Sequence, residues 1–382
     1  MKNNNKKSQT SWADPSVFLR QIHVEESCLE LPLTQAILER SGLPWSVVKE
    51  EEIPRIVPGE YPDNLGEGKQ HLLLCRNKGT FFKPCPATRE YRCCDYQVLN
   101  IGMNCPMDCV YCILQAYLNN PYLSFFVNIE DLLEELKSGL AARPDEFFRI
   151  GTGEFTDSLA LDRLTGLSRV LIEFMADQKR AVLELKTKSA VITNLRDCDH
   201  NGRTIVSWSL NATAVMAREE LRVATLSERL EAAARCAQWG YLLAFHFDPI
   251  IDHPGWREGY RETIERLFQA VPAQSIVYIS LGAFRYLPRL KTIGSDRFSG
   301  STIYYQEFIE GLDGKARYFR DRRVQLYQHL YALLKKKVAD HCCVYFCMES
   351  DEIWQEVMGY GPEERGGLRV MLDKSVNDQL CR

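Results

Sequence analysis

No run of the 382-residue chain approaches the ~18 apolar residues needed to cross a bilayer, so no membrane partner is expected. No signal peptide is read at its start. Its 14 cysteines fall below the density of a disulfide scaffold. A reducing cytoplasm is therefore the expected compartment. A global excess of positive charge is lacking too, since 47 Lys and Arg stand against 51 Asp and Glu for a net charge of −4. Attraction to nucleic acid must then come from local patches. No internal repeat stands out.

What the chain does have is 45% hydrophobic and 26% charged residues, the composition of an ordinary globular protein with a large core. It also has one dense group of thiols, Cys105-Pro106-Met107-Asp108-Cys109-Val110-Tyr111-Cys112. A [4Fe-4S] cluster normally takes a thiolate on each iron, so three grouped cysteines leave one iron open to a small molecule. Zinc is the weaker reading, because structural zinc sites close a tetrahedron with further Cys or His pairs and no clean pair follows. Ordinary reduced thiols remain as the third reading. Cys75, Cys85, Cys93 and Cys94 form a looser group upstream. They are read as small buried thiols, with a second metal site as the alternative.

Residues 1–10 are Asn/Lys-rich and expected to be disordered. Pro44, Pro54, Pro58 and Pro62 then interrupt a stretch read as short elements and loops packed on the main domain. From residue 96 strands alternate with helices, the rhythm of a parallel sheet. Strands are predicted at 97–102, 147–151, 181–186, 204–210, 241–247 and 275–281. Helices are predicted at 129–140, with Asn128 as its cap, and at 161–176. A third begins at the Thr225-Leu226-Ser227-Glu228 capping box and stops at Gly240. Six βα units make an α/β fold, a partial (β/α)6 barrel, whose chemistry belongs at the C-terminal ends of the strands. The expected division is 1–95 as an N-terminal accessory segment, 96–350 as the barrel and 351–382 as a C-terminal extension.

The C-x3-C-x2-C spacing of Cys105, Cys109 and Cys112, with Tyr111 before the last cysteine, resembles the radical S-adenosylmethionine (SAM) superfamily. Lys78-Gly79, Lys83-Pro84-Cys85-Pro86, Cys112-Ile113-Leu114-Gln115 and Gly255-Trp256-Arg257-Glu258-Gly259-Tyr260 resemble its spore photoproduct lyase family, over roughly residues 75–350. The resemblance implies a [4Fe-4S] cluster on Cys105, Cys109 and Cys112. It also implies S-adenosyl-L-methionine as cofactor, a thymine lesion in DNA as substrate, and a reducing electron donor such as flavodoxin or ferredoxin.

Residue by residue, Gly151-Thr152-Gly153-Glu154 matches the segment that lines the bound methionine. Glycines admit close backbone approach there, and a carboxylate can accept from an ammonium group. Thr187-Lys188 matches a Thr-Lys pair at cofactor and substrate, and Ser209 and Asn211 match a Ser-x-Asn. Tyr111 and Lys188 are the candidate catalytic residues. Gly151, Gly153, Glu154, Lys188, Ser209 and Asn211 are the candidate cofactor residues. His246 and Asp248 lie two apart on one strand and so share a side.

Residues 285–323 carry nine basic side chains against five acids, interleaved with aromatics. That pattern suits phosphate contact and base stacking, and Arg285, Arg297 and Phe298 are its candidate substrate contacts. The chain also departs from the family. Glu154 stands where the family's hydrogen-donating cysteine is expected, Phe155 in the following Ser or Thr position, Ile113 at a second tyrosine and Phe298 at a substrate-site tyrosine. Two alternatives follow: a radical SAM enzyme of other specificity, or a non-enzymatic metal-cluster module that binds nucleic acid.

Overall fold

The computed structural model describes residues 14–86 and 90–380; the expected disorder of residues 1–10 falls outside them. At its centre is an eight-stranded sheet. Its order is Cys343–Phe346, Ile276–Ala283, Leu242–Ile250, Thr204–Ser209, Ala181–Thr187, Phe148–Gly151, Gln97–Leu99 and Phe82–Pro84. Neighbours pair in parallel except at the last step, where Phe82–Pro84 runs antiparallel to Gln97–Leu99. The two outer strands do not pair with each other, so the barrel is partial and a seam runs between them.

The strands read near-continuous hydrophobic because both faces are covered: every residue of Ile276–Ala283 is buried. All the predicted strands form, with ends displaced by up to three residues. A seventh parallel strand, Cys343–Phe346, goes beyond the expected set. Four apolar residues carry no period that separates a strand from a buried helix turn.

The first predicted strand breaks after Leu99. Gly102–Met103 leaves the barrel and pairs with Leu123–Phe126 in a second sheet, ordered Trp45–Val48, Gln21–Glu25, His71–Cys75, Leu123–Phe126, Gly102–Met103. Glycine is required at position 102, since a Cβ there would run into the Ser124 carbonyl. The N-terminal region is thus a sheet in its own right, with strands from both sides of position 95.

The helix Ile129–Ala141 forms as expected with Asn128 at its N-cap position, but the Asn128 side chain makes no capping hydrogen bond. The Asn128 side chain instead accepts from the Asn77 amide at 2.9 Å and donates to Asp131 at 2.8 Å. The expected 161–176 helix is two, Asp162–Thr165 and Leu167–Ala176, divided at Gly166 with φ +66°. The capping box holds: Glu228 N donates to Thr225 Oγ1 at 3.3 Å, and Thr225 N to Glu228 Oε2 at 2.8 Å.

Candidate active site

The cysteine loop leaves the barrel where the chain crosses from one sheet to the other. Asn104 turns it with φ +65°, receives the Cys105 amide on its own Oδ1 at 2.9 Å and donates to the Pro121 carbonyl at 3.2 Å. Buried Lys69 reaches up from below. Its ammonium donates to the carbonyls of Cys105 (3.1 Å) and Met107 (2.5 Å) and lies 3.7 Å from Asp108. Arg297 grips Asp108 from the other side at 2.9 and 3.1 Å and bonds Gln115 as well. Gln115 returns hydrogen bonds to the Cys109 and Val110 carbonyls at 3.0 and 3.2 Å, and Tyr304 donates to Val110 O at 2.8 Å. Asp108–Cys109 also pairs antiparallel with Glu220–Leu221.

Backbone carbonyls carry most of this scaffold; of the three thiols only Cys105 makes a hydrogen bond among the described residues, a long one to Met107 O at 3.9 Å. Burial pushes the Cys105 thiol up to about 12, against the pull of Lys69, and raises the Cys109 thiol as well. Deprotonation must then be driven by bonds to metal. Among the described residues no three His, Cys, Asp or Glu side chains are gathered as a metal site, so the fit of the trio to a [4Fe-4S] cluster with one iron left open rests on its thiol chemistry and C-x3-C-x2-C spacing.

One wall of a cavity of about 390 Å³ is formed by Tyr111, Cys112, Ile113 and Leu114. A wider depression of about 780 Å³ around Trp256 and Arg322 contains none of the cluster cysteines. The wall facing the loop is built by strand ends. Gly153, Glu154 and Phe155 follow the Phe148–Gly151 strand, Lys186 comes from the adjacent Ala181–Thr187 strand, Asp248 from Leu242–Ile250 and Arg285 from just beyond Ile276–Ala283. Burial opposes the charge of Lys186, yet the carboxylates of Glu154, Asp248 and Glu184 more than offset it and hold the ammonium protonated.

Deeper in the same cavity, Glu184 receives Ser207 Oγ at 2.5 Å, His246 Nε2 at 2.7 Å and Tyr278 OH at 2.7 Å. Burial raises its pKa, but His246 and these donors lower it further, to about 2. His246 Nδ1 meets Ser280 Oγ at 2.7 Å. Burial first, then Lys186, keeps His246 below its usual pKa, consistent with a neutral ring donating from Nε2.

The cavity brings together Tyr111, Gly153, Glu154 and Arg285 of the sequence-derived candidates. Tyr111 OH donates to Glu220, which Arg229 also holds at 2.6 Å, and the Lys188 ammonium sits 5.7 Å above the Tyr111 ring. Asp157 sets the position of Lys188 by accepting its amide at 2.8 Å and the Thr187 hydroxyl at 2.7 Å. Gly151 serves packing, because a Cβ there would overlap the Tyr96 phenol.

Ser209 and Asn211 lie off the cavity wall. The Ser209 carbonyl accepts from Arg229 at 2.8 Å, while the Asn211 amide spans Pro249 O (2.7 Å) and Tyr260 OH (2.6 Å). Arg297 stacks 4.7 Å from Phe298 and is spent on Asp108. Much of the basic 285–323 segment is likewise neutralised: Arg285 by Asp248, Arg317 by Asp313, Arg322 by Asp252 and Arg323 by Glu349. Exposed Arg289 and Lys291 pair with no carboxylate among the described residues and lie 5.6 and 5.5 Å from the rings of Tyr61 and Tyr305. Sequence reasoning missed Lys69, Asp108, Glu184 and Lys186. The one available signal was that each is a charged residue in a hydrophobic stretch or loop, where burial demands a partner.

A family model described as spore photoproduct lyase matches residues 20–307. The spore photoproduct lyase of Bacillus subtilis (strain 168) is 30% identical over 256 residues, covering 66% of this chain and 73% of that protein. That of Geobacillus sp. (strain Y412MC61) is 28% identical over 251 residues, covering 64% and 72%. Among solved structures, a spore photoproduct lyase complexed with dinucleoside spore photoproduct superimposes with TM-score 0.77 at 23% identity, over 86% of this chain and 98% of that one. A double mutant with bound AdoMet and dinucleoside spore photoproduct gives 0.77 at 22%, over 85% and 98%.

Proposed function

Since this chain belongs to the spore photoproduct lyase family, we propose that it is a radical SAM enzyme acting on a thymine lesion of the spore-photoproduct type in DNA. The observation that carries this reading is the C-x3-C-x2-C loop of Cys105, Cys109 and Cys112, clamped by buried charge, with Cys112 at the wall of a cavity whose other side offers Glu154 and Lys186. When bound, a [4Fe-4S] cluster and S-adenosylmethionine supply a 5'-deoxyadenosyl radical.

The chain's own residues do the rest. Lys69, Asp108 and Arg297 fix the loop that carries the three cysteines. Glu154 is placed to accept from the methionine ammonium, with Lys188 to pair its carboxylate. Tyr111 and the apolar Ile113, Leu114 and Phe155 exclude water from the reacting atoms. The lesion must leave the duplex stack to enter, at a cost of a few kcal/mol, and Arg289 and Lys291, which pair with no carboxylate among the described residues, hold backbone phosphates. A flavodoxin- or ferredoxin-class protein serves as electron donor, in the cytoplasm. No helix among the described residues is long and apolar enough to cross a membrane.

The test incubates anaerobically reconstituted protein with reductant, S-adenosylmethionine and dinucleoside spore photoproduct. Formation of 5'-deoxyadenosine together with repaired thymines is expected. Brisk 5'-deoxyadenosine formation without repair would point to a different substrate.

A further inference from the structure

The lyase reading leaves one chemical role unfilled. A carbon radical left after the cross-link is cut needs a hydrogen atom, and Glu154 cannot give one, because a carboxyl O–H bond is far stronger than a thiol S–H bond.

The seam of the barrel holds what that position lacks. The two outer strands of the sheet, Phe82–Pro84 and Cys343–Phe346, are each followed by a cysteine, Cys85 and Cys347. Both line the cavity, together with Cys94. Arg92 closes the seam, donating its amide to Glu349 O at 3.2 Å and its guanidinium to Asp351 and Glu363.

The three seam thiols are not equivalent. Arg285 Nη2 donates to Cys347 Sγ at 3.6 Å, and the Cys94 side chain is hydrogen-bonded to that of Cys93. Cys85 is half-buried, and among the described residues its sulfur makes no hydrogen bond. Its amide is pinned to Tyr96 O at 2.9 Å, and Glu154 is the charge that acts on it most strongly. Burial and Glu154 both push the Cys85 thiol up, which keeps the S–H intact at neutral pH.

We infer that Cys85 is the hydrogen-atom donor of this protein, a thiol brought to the cavity from the edge strand rather than from the end of the Phe148–Gly151 strand. The inference rests on the lesion-repair reading. In the step itself, the Cys85 S–H bond breaks homolytically, a C–H bond forms on the product and the unpaired electron stays on sulfur. One electron from a donor of the class that charges the cluster, with one proton from solvent, restores the thiol.

The experiment compares wild type, Cys85→Ala, Cys85→Ser and Cys198→Ser in D2O with dinucleoside spore photoproduct. Cys198 lies off the cavity, bonded to the Asn194 carbonyl at 3.1 Å, and controls for loss of a thiol. Wild type and Cys198→Ser are expected to place deuterium in the repaired thymine. Both Cys85 variants should lose about tenfold or more of repaired product per 5'-deoxyadenosine and accumulate quenched side products. The serine variant keeps the volume of the side chain, so its failure cannot be assigned to a cavity. A second readout needs no turnover: dinucleoside spore photoproduct should slow maleimide labelling of Cys85, but not of Cys198, in metal-free protein. Unchanged coupling in a folded Cys85 variant, or labelling of Cys85 indifferent to the dinucleoside, overturns the assignment. If wild type makes 5'-deoxyadenosine but repairs nothing, the lesion reading itself fails and the assignment falls with it.

Discussion

The two walls of the cavity are built in opposite ways. The cysteine loop is eight contiguous residues clamped by buried charge, with Lys69 and Arg297 on Asp108 and Arg229 on Glu220. The facing wall takes single residues from many strand ends: Glu154, Lys186, Asp248, Arg285 and, across the seam, Cys85 and Cys347. A contiguous loop preserves its spacing in any fold that holds it, whereas a wall of separate strand ends changes its chemistry with each substitution. The departures at Glu154 and Phe155 fall on that second wall and only Ile113 departs on the first, where Tyr111 and the three cysteines are kept.

The largest expected effect breaks the first wall outright. Changing Cys105, Cys109 or Cys112 to Ala should abolish the broad visible absorption of the anaerobically reconstituted protein and all 5'-deoxyadenosine formation. Iron assay and absorbance check this; stoichiometric zinc without iron in anaerobically isolated wild type would defeat the assignment. Next, Asp108→Ala strands two buried cations. Losing one partner of a buried network costs about 3–5 kcal/mol, so a clear drop in thermal midpoint is expected, with cluster loading falling alongside. If Asp108→Ala melts like wild type, the clamp does not hold the loop.

Glu154→Gln on the facing wall and Lys188→Met beside the Tyr111 ring should leave iron content and thermal midpoint near wild type. Each should weaken S-adenosylmethionine binding by about tenfold, roughly 1.4 kcal/mol, measurable by calorimetry. Unchanged affinity in both variants would remove these strand ends from the cofactor site.

Acid separates the walls more gently. Glu184 is held below its unfolded value, so its contribution to stability is present above pH ~4.5 and is lost as pH falls toward about 2. Glu184→Gln should flatten the stability–pH slope across that window by up to one proton, and an unaltered slope would show that the carboxylate is not ionised in the fold. The smallest effect belongs outside both walls: Arg289→Ala and Lys291→Ala should each reduce the salt dependence of DNA binding by about one unit of slope, with no change in cluster loading.

The sequence alone determined the cysteine loop, the strand-helix rhythm and the capping box at Thr225, because each depends on neighbours a few residues apart. It read Gly151 as a ligand-facing glycine and Asn128 as a cap. The Tyr96 ring and Asn77, brought in from elsewhere, give those residues other work. It read 285–323 as a basic face, but acids from other elements, Asp108, Asp248, Asp252 and Glu349, neutralise much of it. Charge pairing across 26 to 189 positions leaves no period in a sequence. Only the tertiary structure decided that Lys69 lies under the cluster loop, that Lys186 faces Glu154, and that the edges of an unclosed sheet bring Cys85 and Cys347 into one cavity. Those meetings are set by the curl of the sheet, which is a property of all its strands together.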